Sequence, residues 1–317
     1  SGQHDCGCEG LSLHSTMTSP DTQCRLCKQR SVAILYSGPI RNGGIRGPSA
    51  DGYEIIECDH CKLVQLSPVP PGLTAFYETD SYRANWDETY SPTEIQKKYD
   101  HEQSERVSRI GVENLRDSTV LDLGAGPGLF LDAVKALTRK TLAVEPFSYY
   151  SEHLKTNGHI YYPYAKNAVE NNETANIVTC FDVIEHLENP KNIIDSASSL
   201  LEPGGSLFLS MPNVDDILCS LRSPSFLPFF FQTAHLNYFS GRSVPELFNG
   251  SGFVDLQIDY LHKYDFQNLV AWLKHGRPAD LPEVNGLFDR PFDLHFGAEL
   301  ERLGLSSHLF VTARKRN

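Results

Sequence analysis

The sequence lacks a long hydrophobic run. Its longest apolar stretch is 226–231 (FLPFFF), whereas a membrane-spanning helix needs roughly 20 apolar residues. Residues 1–18 are polar and contain no basic segment followed by an apolar one, so a secretion signal is not predicted. These absences predict a cytoplasmic protein that has no membrane partner.

Positive charge is scarce as well. Lys and Arg together number 28 and Asp and Glu number 40, which gives a net charge of −12. The one basic run is 314–316 (RKR), at the end of the sequence. Nucleic-acid phosphates repel a chain of this charge unless a local basic patch overrides the net field. We therefore expect no nucleic-acid partner.

The sequence does contain two CxxC pairs, formed by Cys24, Cys27, Cys58 and Cys61. Two residues between cysteines allow both thiolates to enter one tetrahedral zinc site, with Zn–S distances of about 2.3 Å. Four thiolates leave no open coordination position, so the pattern predicts a structural zinc ion. Redox-active pairs or simple buried thiols are the alternative, and they are disfavoured in a chain without secretion signals.

The segment between the CxxC pairs contains two short predicted strands and a loop rich in glycine and proline. Such a small unit needs the folding free energy that metal binding supplies. We therefore predict a zinc-binding module over residues 20–75, preceded by a flexible leader over 1–19. Whether Cys6 and Cys8 in that leader bind anything is left open.

The chain has no GxxxxGK[ST] phosphate loop. It has instead an apolar strand at 120–123, a turn of sequence GAGPG at 124–128, and a helical pattern at 129–137. This order is typical of the first unit of a doubly wound sheet. The GxGxG spacing disfavours a dinucleotide, while the helix N-terminus favours a compact anion such as a carboxylate. A tight turn without any ligand is the alternative.

Three later segments extend this pattern. A second strand, 142–146, carries Glu145 near its end, where a carboxylate can accept both hydroxyls of a ribose. A buried strand at 175–183 leads into the segment Ile184-Glu185-His186. The segment LEPGG then precedes another strand at 206–211.

These segments, VLDLGAGPGLF, AVEP, FDVIEHLENP and LEPGG–SLFLSMPN, resemble in order and spacing the motifs of class I S-adenosylmethionine-dependent methyltransferases. The resemblance covers residues 119–215. It implies an α/β fold with a doubly wound, Rossmann-like sheet over 119–317, and S-adenosylmethionine as cofactor. A non-catalytic scaffold that binds this cofactor is a further alternative.

The same resemblance implies roles for residues along the motifs. Asp122 would face the amino group of the cofactor, and Glu145 would bind its ribose. The other implied contacts lie against the methionine part or at the fourth strand's end, and they are Gly124, Ala125, Gly126, Gly128, Phe181 and Asp182.

The N-terminal half, CRLC…CDHCKLVQL, resembles the zinc-binding entry module of sugar methyltransferases, including the deoxysugar C-methyltransferase group. Lys28 and Lys62 stand where a glycine commonly follows each CxxC pair in that group. The resemblance implies a small polar acceptor, namely a sugar that is free, nucleotide-linked or part of a glycoconjugate. Methylation of RNA is disfavoured by the charge of the chain.

Two histidines are candidate catalytic bases. His235 follows the fifth strand, where the sugar C-methyltransferase group carries a Glu-His pair, but Ala234 replaces the glutamate here. The missing carboxylate favours O-methylation over C-methylation of a keto-deoxysugar. His186 is the second candidate, and a purely structural role is the alternative for both. Glu185 is interpreted as structural.

Two further segments could contact the ligands. Residues 76–118 are predicted as a helical connecting or lid segment, in which Tyr82 is a plausible cofactor contact. A substrate-side insertion is predicted at about 216–250 and contains the aromatic run 226–231. That run could line an acceptor pocket, form a homodimer contact or pack in the core.

Overall fold

The structure is a computed structural model that describes residues 22–43, 49–72, 91–278 and 288–317. The predicted leader, its cysteines and Tyr82 lie outside the described residues. Within the described ranges the chain forms a seven-stranded sheet, a four-stranded sheet and a separate pair of short strands.

The larger sheet is built from residues 119–315. Its strands are β6 (Thr119–Leu123), β7 (Lys140–Val144), β8 (Ile160–Tyr162), β9 (Ala175–Phe181), β10 (Leu201–Pro212), β12 (Phe253–Leu261) and β13 (His308–Lys315). They lie in the order β12-β13-β10-β9-β6-β7-β8. Neighbouring strands from β10 to β8 pair in parallel, whereas β13 is antiparallel to both of its neighbours.

The strand order reverses between β6 and β9. The chain moves outward from β6 to β7 and β8, and then returns to place β9 on the other side of β6. A reversal of this kind opens a crevice at the carboxyl ends of the two strands, where open α/β sheets bind ligands. All residues of β6 are buried, as expected for a central strand that is covered on both faces.

Helices pack on both sides of this sheet. In chain order they are α1 (Pro92–Ile110), α2 (Val112–Leu115), α3 (Leu129–Val134), α4 (Ser151–Thr156), α5 (Ala165–Glu170), α6 (Lys191–Leu200), α7 (Ile217–Ser220), α8 (Phe226–Phe230), α9 (Val244–Leu247), α10 (Phe266–His275) and α11 (Arg290–Leu303). None of the helices in the described ranges is long and apolar enough to cross a bilayer.

Helix α1 begins where its sequence favours it. The Ser91 side chain accepts a hydrogen bond from the Glu94 amide, and Pro92 occupies the first turn, where its missing N–H costs nothing. The helix ends at Gly111, whose φ of 88° is far from helical. The described part of the predicted connecting segment therefore contains two helices, α1 and α2.

The smaller sheet is antiparallel and contains β1 (Val32–Ser37), β4 (Glu54–Cys58), β5 (Val64–Ser67) and β11 (Asn237–Tyr238), in the order β1-β4-β5-β11. The strands β2 (Ile40–Arg41) and β3 (Ser49–Ala50) pair separately. Three of the four strands come from the predicted zinc module. The fourth, β11, comes from a part of the chain about 170 residues later in the sequence.

Residues 231–238, which we call the 231–238 loop, are joined to the N-terminal strands by more than the β5–β11 pairing. The Arg41 amide donates to Phe231 O over 3.0 Å, and the Leu66 amide donates to Leu236 O over 3.0 Å. The guanidinium of Arg25 donates to the carbonyl oxygens of both Leu66 and Leu236. The module and this loop therefore form one structural unit.

The doubly wound, Rossmann-like α/β fold predicted from the sequence is confirmed. One hydrophobic cluster runs from Cys24 and Leu63 of the module to Leu121 of β6, so the two sheets share a core. The segment LEPGG, predicted as a turn, instead forms the first residues of β10.

Candidate functional site

The four cysteines of the two CxxC pairs form one cluster. Their sulfur atoms all lie within 4.8 Å of one another, and the Cys24–Cys61 and Cys27–Cys58 Sγ pairs are each 3.5 Å apart. In a tetrahedral site with Zn–S bonds of about 2.3 Å, the sulfurs are separated by about 3.8 Å. The donor set and its spacing therefore fit a zinc ion.

Both CxxC pairs close with the same backbone turn. The Lys28 amide donates to Cys24 O and the Lys62 amide to Cys58 O, each over 3.0 Å. The two lysines have φ values of 63° and 62°, in the left-handed region that favours glycine. Lysine therefore supports a left-handed turn at both positions.

The thiols of the cluster influence one another's ionisation. The hydrogen bond from the Cys61 thiol lowers the pKa of Cys24 and raises the pKa of Cys61. Burial raises the pKa of Cys27 to about 11. The thiolate is the form of cysteine that binds a metal, so a bound divalent cation would stabilise the ionised form of these sulfurs.

The glycine turn lies at the carboxyl end of β6, at the reversal of strand order. Gly124, Gly126 and Gly128 all have positive φ values, of 84°, 54° and 90°. Such angles disfavour side chains, and they turn the chain sharply from β6 into α3. Ala125, between two of these glycines, is 8% exposed.

Glu145 stands at the end of the neighbouring strand β7. Its carboxylate accepts hydrogen bonds from the Gly126 amide (2.8 Å) and the Phe147 amide (2.9 Å). Each oxygen of a carboxylate has a second lone pair, so both can accept a further hydrogen bond. Glu145 thus holds the glycine turn and can also bind a ribose hydroxyl.

Asp122 is the fourth residue of β6 and is almost fully buried. Burial raises the pKa of its carboxyl to about 6, although a 2.7 Å hydrogen bond from the Thr179 hydroxyl acts in the opposite direction. A buried carboxylate near a strand end gains stability from a cationic partner. The ammonium group of an amino acid would be such a partner.

Asp182 follows β9 and has a φ of 57°. Its carboxylate accepts a 2.8 Å hydrogen bond from Arg106 of α1 and lies 4.0 Å from the Lys263 ammonium. Burial by itself would raise the pKa of Asp182, but these two cations outweigh that effect and hold the pKa well below its usual range. Asp182 is therefore ionised at neutral pH.

A second group of polar side chains lies just beyond β9. Glu185 and His186 belong to the short turn Ile184–His186, and His235 belongs to the 231–238 loop. The rings of His186 and His235 are 4.7 Å apart in an edge-to-face arrangement. Burial and the neighbouring His186 lower the pKa of His235 well below its usual value, so His235 is neutral at pH 7.

The glycine turn, Glu145, Asp182 and the group formed by Glu185, His186 and His235 all contribute to the lining of one cavity of about 800 Å³. Of the predicted cofactor contacts in the described chain, Gly124, Glu145, Phe181 and Asp182 line it. Asp122, Ala125, Gly126 and Gly128 are not among the lining residues, so the structure places them in the supporting turn and strand.

The opposite side of the cavity is aromatic and apolar. Phe226, Phe229 and Phe230 of the aromatic run line it together with Trp272 of α10, and the two histidines line the same cavity. Phe231 instead packs in the core of the smaller sheet. Three of the six residues of the run thus line the cavity, and the run also packs against two hydrophobic clusters.

A family model described as "Methyltransferase domain" matches residues 95–258, which is just over half of the chain. The chain belongs to this methyltransferase family. The match begins inside α1 and ends inside β12, so the methyltransferase domain includes the glycine turn, Glu145 and both candidate histidines.

Curated relatives match a shorter stretch of the methyltransferase domain. An enzyme named ubiquinone biosynthesis O-methyltransferase from Colwellia psychrerythraea is 31% identical over 105 residues, which covers 31% of this chain and 43% of the relative. The enzyme of that name from Haemophilus ducreyi is 33% identical over 107 residues, with 30% and 45% covered. The chain therefore matches less than half the length of these relatives.

Solved methyltransferases are similar in fold at low identity. A SAM-dependent methyltransferase from Archaeoglobus fulgidus is 15% identical, with a TM-score of 0.48 and coverage of 70% of this chain and 98% of that one. Phosphoethanolamine N-methyltransferase 2 of Haemonchus contortus, solved with S-adenosyl-L-methionine, is 14% identical, with a TM-score of 0.46 and coverage of 80% and 63%.

Sequence reasoning missed the cationic side of the methyltransferase cavity. Arg106 and Lys263 both line the cavity and both interact with Asp182 and with Glu102. Arg106 lies in a helix that the sequence does predict. Its partner Asp182, however, is 76 positions away, and no local pattern links the two.

Replacing Gly124 with alanine should destabilise the methyltransferase domain and weaken cofactor binding. The positive φ costs an alanine about 1–2 kcal/mol. In addition, the new Cβ would lie 2.4 Å from a methyl carbon of Val183, which lines the cavity. Unfolding in denaturant and calorimetry with S-adenosylhomocysteine measure the two effects.

Gly158→Ala is the matched control, because Gly158 has the same backbone strain (φ +89°) and nothing within 4 Å of the added Cβ. This variant should lose only the stability that the positive φ costs, and its cofactor affinity should not change. Equal losses of stability and affinity in the two variants would mean that Val183 moves aside freely.

Proposed function

We propose that this protein transfers a methyl group from S-adenosylmethionine to a hydroxyl oxygen of a small polar acceptor. The observation that carries the proposal is the cavity at the reversal of strand order, which is lined by Gly124 of the glycine turn, Glu145, two histidines and an aromatic wall. Membership of the methyltransferase family supports the donor.

The residues present fit S-adenosylmethionine. Glu145 would accept hydrogen bonds from the ribose hydroxyls, and Asp122 would balance the charge of the amino group. Phe181 and Phe147 line the cavity beside Glu145 and offer apolar surface to the rest of the molecule. When bound, the cofactor supplies a methyl group on a sulfonium, which is an activated leaving group.

The chain's own tasks are to align the acceptor, exclude water and activate the hydroxyl. The aromatic wall of the cavity, formed by Phe226, Phe229, Phe230 and Trp272, can hold one face of a ring. Neutral His235 and its neighbour His186 can then activate the hydroxyl, because an unprotonated ring nitrogen carries a lone pair that can accept a proton or bind a cation.

We favour a sugar or nucleotide sugar as the acceptor. The four-cysteine cluster supports it, since that module links the chain to sugar methyltransferases. Arg41 and Lys98 also line the cavity and suit the negative charge of a nucleotide sugar. Replacement of the Glu-His pair by Ala234 and His235 supports transfer to oxygen, as does the name O-methyltransferase that the relatives carry.

A phenolic acceptor is the second candidate. The relatives' printed name includes ubiquinone biosynthesis, and the aromatic wall would stack on a phenol ring. The same wall can pack against the C–H face of a sugar. The two acceptors differ in charge, so the cationic residues Arg41 and Lys98 favour the sugar phosphate.

The test begins with calorimetry of S-adenosylmethionine and S-adenosylhomocysteine on the purified protein. Failure of both to bind would refute the proposal. Next, a ¹³C-methyl donor is incubated with nucleotide sugars and with phenols, and the products are examined by NMR. A methyl-ether signal supports O-transfer, and a C-methyl signal would assign the protein to C-methylation instead.

Cofactor affinity should fall as the pH drops through about 6. The pKa of Asp122 is raised to about 6, so the carboxyl is ionised above this pH and becomes neutral below it. The neutral form no longer attracts the cofactor's ammonium group, and affinity falls by up to about tenfold per pH unit. Calorimetry between about pH 5 and 8 measures this dependence.

Asp122→Asn is the control for this dependence. An amide keeps the size of the side chain and does not ionise, so affinity in the variant should be weak and flat across the same pH range. A variant that keeps the wild-type pH dependence would show that another group is responsible for it.

A further inference from the structure

Three side chains beside the cofactor side of the cavity form a cluster of metal-ligand type. Glu185, His186 and His235 each offer one ligand atom, and these atoms all lie within 4.8 Å of one another. Two donors on opposite sides of an ion are about 4.2 Å apart for bonds of about 2.1 Å. A movement of less than about 1 Å would therefore bring all three onto one ion.

Glu185 has a buried carboxylate oxygen whose hydrogen-bonding capacity is not satisfied by the described residues. Its side chain is 2% exposed, and its Oε2 atom has no hydrogen-bond partner within the described part of the chain. A buried carboxylate oxygen without a partner is costly. Both histidines and Glu185 line the cavity, so the place where a compensating cation would bind is accessible from it.

The hydrogen bonds around His186 orient one of its nitrogens for such a cation. Its Nδ1 is 2.7 Å from Ala234 O. A carbonyl oxygen can only accept, so Nδ1 carries the proton and Nε2 carries the lone pair. Nε2 lies 3.8 Å from Glu185 Oε1. Metal-binding histidines commonly donate their other N–H to a backbone carbonyl in this way.

A hydrogen bond also holds the ring of His235 in place. One of its nitrogens, Nε2, is 2.9 Å from Nε2 of the Gln232 side chain, and this contact fixes the orientation of the ring. An amide nitrogen only donates, so in this orientation of Gln232 the Nε2 atom accepts and Nδ1 carries the proton. Rotation of the Gln232 amide by 180° makes Nε2 the donor and leaves the Nδ1 lone pair to a cation. The 231–238 loop that carries His235 is held in turn by the four-cysteine module.

We propose that Glu185, His186 and His235 bind a divalent first-row transition-metal ion that holds the acceptor through two adjacent oxygen atoms. Two imidazoles and one carboxylate are ligands for such ions, and three protein ligands leave coordination positions open. The open positions face the cavity. The class of acceptor is therefore one with neighbouring oxygens, as in a sugar vicinal diol.

This inference rests on the proposed function and specifies how the hydroxyl is activated. An ion lowers the pKa of a bound hydroxyl, so the hydroxyl proton leaves to water and the oxygen attacks the methyl carbon. A C–O bond forms, the C–S bond breaks, and its electron pair goes to sulfur. His186 and His235 then act as ligands rather than as proton acceptors.

The two metal sites of the chain can be measured separately because their donors differ. Four thiolates select zinc, while an N/O donor set also accepts Mn²⁺, which has the lowest affinity for thiolates among these ions. Zinc-loaded protein is therefore titrated with Mn²⁺, and free Mn²⁺ is followed by electron paramagnetic resonance. We expect one Mn²⁺ to bind per chain while the zinc content stays constant.

Glu185→Gln and His186→Ala should each weaken Mn²⁺ binding by at least about 10- to 100-fold, since loss of even an outer-sphere partner costs that much. His262→Ala is the matched control, because His262 lines the same cavity but lies outside the cluster. Its Mn²⁺ affinity should equal that of the wild type. Calorimetry with S-adenosylhomocysteine shows whether each variant is folded.

The outcomes distinguish this inference from the proposed function. Wild-type protein that binds S-adenosylhomocysteine but no Mn²⁺ at millimolar concentration would refute the metal site and leave the proposed function standing. Mn²⁺ affinity that is unchanged in both folded variants would refute it as well. Mn²⁺ binding without any cofactor binding would refute the proposed function instead.

Discussion

Replacing His235 with alanine should lower the turnover of methyl transfer by ~10²–10⁴-fold, the contribution typical of a group that activates the attacking hydroxyl. Affinity for S-adenosylmethionine should change little, because the glycine turn and Glu145 belong to a different part of the cavity. The measurement is the initial rate of S-adenosylhomocysteine formation with saturating donor and acceptor, alongside calorimetry of the donor.

His275→Ala provides the matched control, since His275 is an exposed histidine at the end of α10 and does not line the cavity. Its turnover should equal that of the wild type. An unchanged rate in the His235 variant would remove His235 from the mechanism. Mn²⁺ binding to the same variant separates its two roles: lost binding indicates a metal ligand, and retained binding with lost turnover indicates a proton acceptor.

Disruption of the four-cysteine cluster should lower the turnover of methyl transfer, although the cluster does not line the cavity. In Cys58→Ser the four-thiolate site loses one ligand, and zinc binding supplies ~10–16 kcal/mol to small modules of this kind. Strands β4 and β5 should then lose their order, and the β5–β11 pairing would be lost with them. A displacement of His235 by only about 1 Å can cost on the order of 10²-fold in turnover.

Three measurements check this expectation. The zinc content per chain should fall, amide hydrogen exchange in the 231–238 loop should accelerate, and the affinity for S-adenosylhomocysteine should persist. Cys180→Ala is the control, because Cys180 is a fully buried thiol outside the four-cysteine cluster. Slow exchange in the loop after zinc loss would show that the loop is held by other contacts.

Local patterns explain why much of the fold could be predicted. Each of the informative motifs lies within about ten residues. They are the CxxC pairs, the apolar strand before GAGPG, and the acid that ends the next strand. Strand–turn–helix order then limits the sheet to a few topologies. The segments 252–260 and 305–312 also have strand-like patterns, and the structure places β12 at Phe253–Leu261 and β13 at His308–Lys315.

The parts of the fold and of the site that local patterns do not predict depend on contacts between distant parts of the chain. Strand β11 has only two residues, so no periodicity could identify it, yet it joins the two sheets. No local pattern groups Glu185 with His235, because the two residues are close in space but far apart along the sequence. The boundaries predicted for the zinc module, connecting segment and insertion stay predictions.

The pairing of β5 with β11 has a consequence for exchanging parts between relatives. In the proposed function the aromatic wall and the 231–238 loop contact the acceptor, and that loop is completed by backbone hydrogen bonds from residues 22–72. A chimera that receives a foreign loop alone would leave β5 with a mismatched edge strand. Residues 22–72 and 226–240 should therefore be exchanged together between relatives, because the two segments pair with each other although they are far apart in the sequence.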